Sequence, residues 1–316
     1  MPGDALVVSV GFVGAPITLR EKLFSDAEII SGFEAMQRTL GRPIDALIAA
    51  EIGGMNGLTP LIAGALLNVP VIDADGMGRA FPQSNHVAFS IYGQSATPTV
   101  VSSEHCDLAI IETTDNERAE HITRAICSAM GSKCFSLDYP LRAEQLKACS
   151  IPRTVTLARE IGQALRRSRN ADPDPLTALN QVLAAHGSSA KLLFEGTVTA
   201  VEYDVSGGFG VGSAIVRASD ATILRVDFQN EFLVAWRNDT PIATTPDIIS
   251  FVDGETLATI SSDTLRYGQR VKILLLGAPT LMATEQALRV VGPRAFGYDL
   301  DYLGSSAAEI AQARAS

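Results

Sequence analysis

The sequence predicts two domains of different class: an α/β domain over residues 1–172 with a mainly parallel sheet, then an antiparallel β-rich domain over residues 173–316, a barrel or a sandwich. Three observations carry this prediction. Up to about Arg169, short apolar β-branched runs alternate with longer stretches of helical spacing, the pattern of βαβ units. Beyond Lys191 the period shortens to alternating runs separated by turn residues. A chain of 316 residues is also long for one hydrophobic core.

In chain order, Ala5–Val10 reads as a buried strand ending in the turn-forming stretch GFVGAP, with Glu21-Lys22 beyond it. Asp26 is placed to cap a helix to Leu40, with Ile29, Ile30, Phe33 and Met36 on one face and Gly41 as its stop. Asp45–Ala50 is the next strand and runs into Glu51. After GGMNG, Thr59 reads as an N-cap and Pro60 as the first helical residue. The helix ends at Asn68, and Val69–Ile72 is a strand again. Strand, helix, strand implies parallel neighbours and a right-handed crossover. Glu51 and Asp73 are therefore expected at the carboxyl ends of adjacent strands, the edge on which open α/β sheets bind ligands.

Leu108–Ile111 reads as a strand ending at Glu112, and Thr114 to Glu117 matches a capping box before a helix to Met130. Lys133–Leu137 reads as a strand ending at Asp138. Leu141–Cys149 and Val155–Arg169 read as helices, the second closing in Arg166, Arg167 and Arg169. Asn170–Pro175 has linker composition, and Leu176–Ala185 can still be helical. The later strands are separated by Gly207-Gly208, Asn238-Asp239 and Asp253-Gly254. Gly208, Gly210 and Gly212 miss the dinucleotide spacing and suit a hairpin or bulge.

A formal charge of −10 argues against nucleic-acid and anionic-membrane partners, which would want a basic face. No apolar run reaches the length of a membrane span, and the first residues lack a secretory layout, so the cytosol is the expected compartment. Cys106, Cys127, Cys134 and Cys149 show no metal or disulfide spacing and read as reduced structural thiols. There is no phosphate loop, no H-E-x-x-H helix and no G-x-S-x-G elbow.

What remains is a stretch of carboxylates and glycines from Glu51 to Pro82. Glu51, Asp73 and Asp75 can divide general acid and base duties if proximity separates their pKa values, and Glu51 with Asp73 can hold a divalent metal, of unknown identity. Gly53 and Gly54 let a ligand approach backbone amides, Asn56 offers a polar contact, and Arg79 can clamp an oxygen pair. For Glu112 and Asp138 the preferred reading is a turn or cap role. His86 lies closest of the four histidines to this stretch; His105, His121 and His186 read as structural or solvent-facing.

EIGGMNGLTP, VIDADGMGRAFP and FSIYG resemble the N-terminal domain of the S-methyl thiohydantoin desulfurase family. The likeness extends through VGFVGAP with Glu21-Lys22, through IPRTVTLAREIGQAL, and into the β-rich half at FQNE, PDII, LRYG and GPRAFGY. It spans almost the whole chain. The resemblance implies an α/β domain followed by a β-rich one, and hydrolytic loss of methanethiol from an S-methyl thiohydantoin. Its members are often encoded beside hydantoinase or oxoprolinase subunits, so the implied partners are a small cyclic ureide and such subunits; a homo-oligomer is also compatible. The implied site places Glu51 or Asp73 on the water, and Asn56, Arg79, Glu21 and the glycine amides on the substrate. A non-catalytic supporting subunit is the alternative. The family pattern has a further glycine-rich run before the first strand and an acid after FP; here Gln83 stands at that place, which makes His86 a candidate base.

Overall fold

The structure is a computed structural model, and it describes residues 1–14, 18, 21–168, 174–206 and 209–304. Contacts divide it into two compact units, Met1–Val155 and Thr156–Ser316.

The first unit is built on β1 (Leu6–Gly14), α1 (Asp26–Leu40), β2 (Ala46–Ala49), α2 (Thr59–Leu67), β3 (Val71–Asp75), α3 (Ala88–Ile91), β4 (Thr99–Ser102), β5 (Leu108–Ile111), α4 (Asn116–Ala129), β6 (Lys133–Arg142), α5 (Ala143–Cys149) and β7 (Ile151–Pro152). Its strands lie in the order β5-β4-β6-β1-β2-β3-β7. The parallel pairing expected from the βαβ pattern is realised in β1-β2-β3. The other neighbours join antiparallel, so the sheet is mixed. Of these, β4 and β5 are joined by a short loop and form a tight antiparallel pair, which needs no crossover helix.

Alternation along β1 sorts two faces. Val8, Val10 and Phe12 point to a core shared with Ile29, Phe33 and Met36 of α1, Leu47 of β2, and Phe135 and Leu137 of β6. Each such side chain, fully buried, stabilises by about 1.5–3 kcal/mol. The opposite face carries Ser9, Gly11, Ser136 and Asp138, which the register sets directly across from one another. Further along that face Val101, Cys127 and Cys134 pack together, and the Cys127 thiol donates to the Val13 carbonyl at 3.2 Å, bringing α4 over it.

Several local expectations shift by a residue or two. Ser25, not Asp26, caps α1 in a full capping box with Glu28. The Thr59 hydroxyl donates back to the Met55 carbonyl instead of capping α2. Asp115, not Thr114, caps α4 by accepting from the Arg118 amide. The strands β4 and β7 add to those the sequence pattern predicts, and β6 continues to Arg142, past the expected end at Asp138.

The second unit carries most of α6 (Thr154–Ser168), then α7 (Pro175–Ala185), β8 (Ala190–Ser206), β9 (Phe209–Arg217), β10 (Ile223–Gln229), β11 (Glu231–Arg237), β12 (Thr240–Thr244), β13 (Ile248–Asp253), β14 (Thr259–Ile260), β15 (Arg270–Leu276) and α8 (Glu285–Val291). All its strand pairs are antiparallel, in the order β12-β11-β10-β9-β8-β15-β13-β14. The sheet curls until Phe232 of β11 stacks on Phe251 of β13 at 4.6 Å, yet it does not close into a barrel. Gly210 and Gly212 lie in β9, the second strand of the antiparallel β8-β9 pair, as the hairpin reading expects: a Cβ on Gly212 would sit 1.9 Å from the Glu202 carbonyl, so only glycine lets β8 and β9 approach so closely. Arg169, the linker residues 170–173 and the Gly207-Gly208 turn lie outside the described residues.

Candidate functional site

The carboxyl ends of β2 and β3 form the edge that the sequence pointed to. Glu51 emerges just past β2, half-buried, and its Oε1 accepts from Asn56 Nδ2 at 2.9 Å. Asn56 is itself fixed: its Oδ1 accepts from the Phe12 amide at 2.7 Å, and its Nδ2 donates to the Phe12 carbonyl at 3.1 Å. The side chain thus prolongs the β1 ladder where β2 has ended. Asn56 orients Glu51, and its own hydrogen-bonding groups are taken up in doing so.

Asp75 closes β3, opposite Ala49 in register, and is fully buried. Its Oδ2 accepts from the amides of Ile52 at 2.9 Å, Met77 at 3.0 Å and Gly78 at 2.7 Å. One carboxylate therefore ties the loop after β2 to the loop after β3. Burial raises its pKa to about 6, against those amides and the Thr154 hydroxyl, which pull it down. The glycines serve the same juncture: Gly54 adopts a left-handed φ of 47°, and a Cβ on Gly53 would lie 3.0 Å from that of Ala80.

Past this juncture Arg79 is buried, donates from Nε to the Ala80 carbonyl at 3.2 Å, and lies 4.7 Å over the Phe81 ring. Phe81 meets His86 edge-on at 6.1 Å. His86 is buried, and burial first, then Arg124, lowers its pKa to about 4 against the opposing pull of Glu120. It is a neutral imidazole at neutral pH. The buried Glu120 carboxylate of α4 holds the segment in place: it accepts from Arg124 Nε at 2.8 Å and from the Ser84 hydroxyl, while Arg124 also donates to the Pro82 carbonyl at 3.2 Å. Sequence reasoning did not single out Glu120; its spacing of four from Arg124 was the signal available.

Asp73 does not share this edge. The register places it two residues back along β3 from Asp75, where it is exposed and its backbone carbonyl accepts from Arg153 at 2.7 Å. The strand runs on through the polar D-A-D sequence, past the end expected at Ile72, because Asp75 is buried in spite of its charge. Glu21 and Glu112 are exposed. Among the described residues no group of three or more His, Cys, Asp or Glu is placed to hold a metal ion.

The arrangement is that of a two-unit α/β-plus-β protein with a polar edge on a mixed sheet. Residues 1–113 match the family model "S-Me-THD-like, N-terminal domain", and residues 114–304 match "S-Me-THD-like, C-terminal domain". The chain belongs to the S-methyl thiohydantoin desulfurase family, the family that its motifs resemble. No curated protein matches it. A structural-genomics crystal structure of a protein from Chromobacterium violaceum shares the fold, with a TM-score of 0.81 over 96% of this chain and 85% of that one, at 22% identity. Among the described residues no helix is long and apolar enough to cross a membrane.

Proposed function

We propose that this protein is a hydrolase of a five-membered cyclic ureide, releasing methanethiol from an S-methyl thiohydantoin to give a hydantoin. Water adds to the ring carbon that bears sulfur, forming the new C–O bond. The C–S bond breaks, the sulfur leaves as methanethiol with one proton of the water, the other proton goes to the ring nitrogen whose C=N bond has opened, and the oxygen becomes the hydantoin carbonyl. The observation that carries this reading is the Glu51 carboxylate, held by Asn56 on the backbone of β1 at the carboxyl edge of the sheet, in a chain matched end to end by the family. A carboxylate so oriented accepts the proton of the attacking water. Arg79, with its charge stacked on Phe81, meets the ring oxygen on which negative charge develops. Asp75 keeps the two loops in register and stays out of the chemistry.

The test is methanethiol release from an S-methyl thiohydantoin by the purified protein, followed with a thiol reagent. Glu51→Gln should lower the rate by about 10²–10⁴-fold at unchanged secondary structure. A wild-type protein that releases no thiol, yet co-purifies with a hydantoinase or oxoprolinase subunit, supports the non-catalytic alternative instead.

A further inference from the structure

The face of the sheet opposite the α1 core holds a polar strip that a purely structural role leaves unexplained. Two cross-strand pairs of β1 and β6 form it: Ser9 faces Asp138, and Gly11 faces Ser136. The Ser136 hydroxyl is buried without a hydrogen-bond partner among the described residues, a costly state unless a polar molecule completes it. Gly11 contributes no side chain of its own, and the Asn56 amide takes the space over it, 3.4 Å from where its Cβ would be. Glu51 is bonded to that same amide. The strip therefore has Glu51 at one end and Asp138 at the other, the two strand pairs lying about 7 Å apart.

The backbone is bent to produce this. Between Val7 and Ser9 the register slips, so that β6 has one residue more than β1. Just there Tyr139, buried and not a glycine, holds a left-handed φ of 44°. A bulge with a strained residue re-aims its neighbour and recurs beside active sites. The Tyr139 hydroxyl donates to the Ser84 carbonyl at 3.3 Å, tying the bulge to the segment that bears His86.

We propose that Asp138 is a second catalytic carboxyl group of this site, the general acid that protonates the departing methanethiolate while Glu51 takes the proton of the attacking water. The assignment rests on the hydrolytic reading above. The proton leaves the Asp138 carboxyl as the C–S bond breaks and is restored from the proton Glu51 has gained, so no further reactant is needed. Asp138 is suited to the role: burial, with Glu120 adding like charge and the Ser9 hydroxyl opposing, raises its pKa to about 7. The ionisable groups that act on it are Glu120, itself paired with Arg124, and the Tyr139 phenol, whose pKa is pushed up by burial and then by the Asp138 charge.

Leaving-group rescue tests this. Asp138→Asn should lose about 10²–10⁴-fold on the S-methyl substrate. On an S-aryl analogue, whose thiolate departs without protonation, it should retain close to the wild-type rate. Glu51→Gln should be impaired on both, and the wild-type fall in kcat/KM above about pH 7 should vanish in Asp138→Asn. Circular dichroism of Asp138→Asn confirms that it folds; Asp138→Ser, which likewise carries no carboxyl group, serves in its place if it does not. An Asp138 variant that is folded and equally impaired on both substrates, or unaffected on both, overturns the assignment alone. A wild-type protein inactive on both substrates overturns the hydrolytic reading and the assignment with it.

Discussion

Asn56 binds both backbone groups of Phe12, accepting from its amide at 2.7 Å and donating to its carbonyl at 3.1 Å. A loop side chain here does the work of a strand, since β2 stops at Ala49 and β1 runs on to Gly14. The same amide orients Glu51.

Asn56→Ala should therefore lower stability and activity together. Losing the partners of two part-buried backbone groups costs about 1–3 kcal/mol. Urea unfolding should show that decrease, and thiol release should fall further than the change in folded fraction explains. Unchanged turnover in a destabilised variant would separate Glu51 from its support.

Asp75 makes stability depend on pH with a definite sign. Its folded pKa of about 6 stands above the ordinary 3.8, so its contribution is fully present below pH 3.8 and is lost as pH rises through about 6. The two-unit separation corresponds to at most about 3 kcal/mol. Asp75→Asn, which cannot titrate, should show a flatter dependence of unfolding midpoint on pH between 4 and 6. The comparison also cancels the contribution of Asp138, which both proteins share. Parallel profiles would remove Asp75 from the account.

Glu28 and Lys133 form an ion pair at 2.8 Å that is closed to solvent, and Lys133 also donates to the Leu23 carbonyl at 2.9 Å. Lys133→Met leaves the Glu28 charge buried without its partner, a change that costs about 3–5 kcal/mol. Pairing it with Glu28→Gln, which keeps a group able to accept from the Ser25 amide, should recover part of that loss in urea denaturation. A single Lys133→Met variant as stable as the wild type would contradict this.

Short-range chemistry was readable in the chain: Gly41 at a left-handed helix end, the helix opening at Thr59-Pro60, the change of period after Lys191, and the loop in which Glu51 stands. These depend on residues a few places apart, where propensity and spacing act directly. The family motifs lie in those same segments.

What the tertiary structure decided was which polar groups are buried together. By itself the sequence determined an α/β unit, a β unit, and a polar edge near Glu51. It favoured Asp73 over Asp75 as the functional partner of Glu51, and read Asp138 as a turn or cap residue. The fold buries Asp75 among three amides, leaves Asp73 in solvent, and sets Asp138 opposite Ser9 through a bulge. Burial and cross-strand register join residues up to about 130 positions apart, such as Ser9 and Asp138, and desolvation then decides which carboxyl is a strut and which can move a proton.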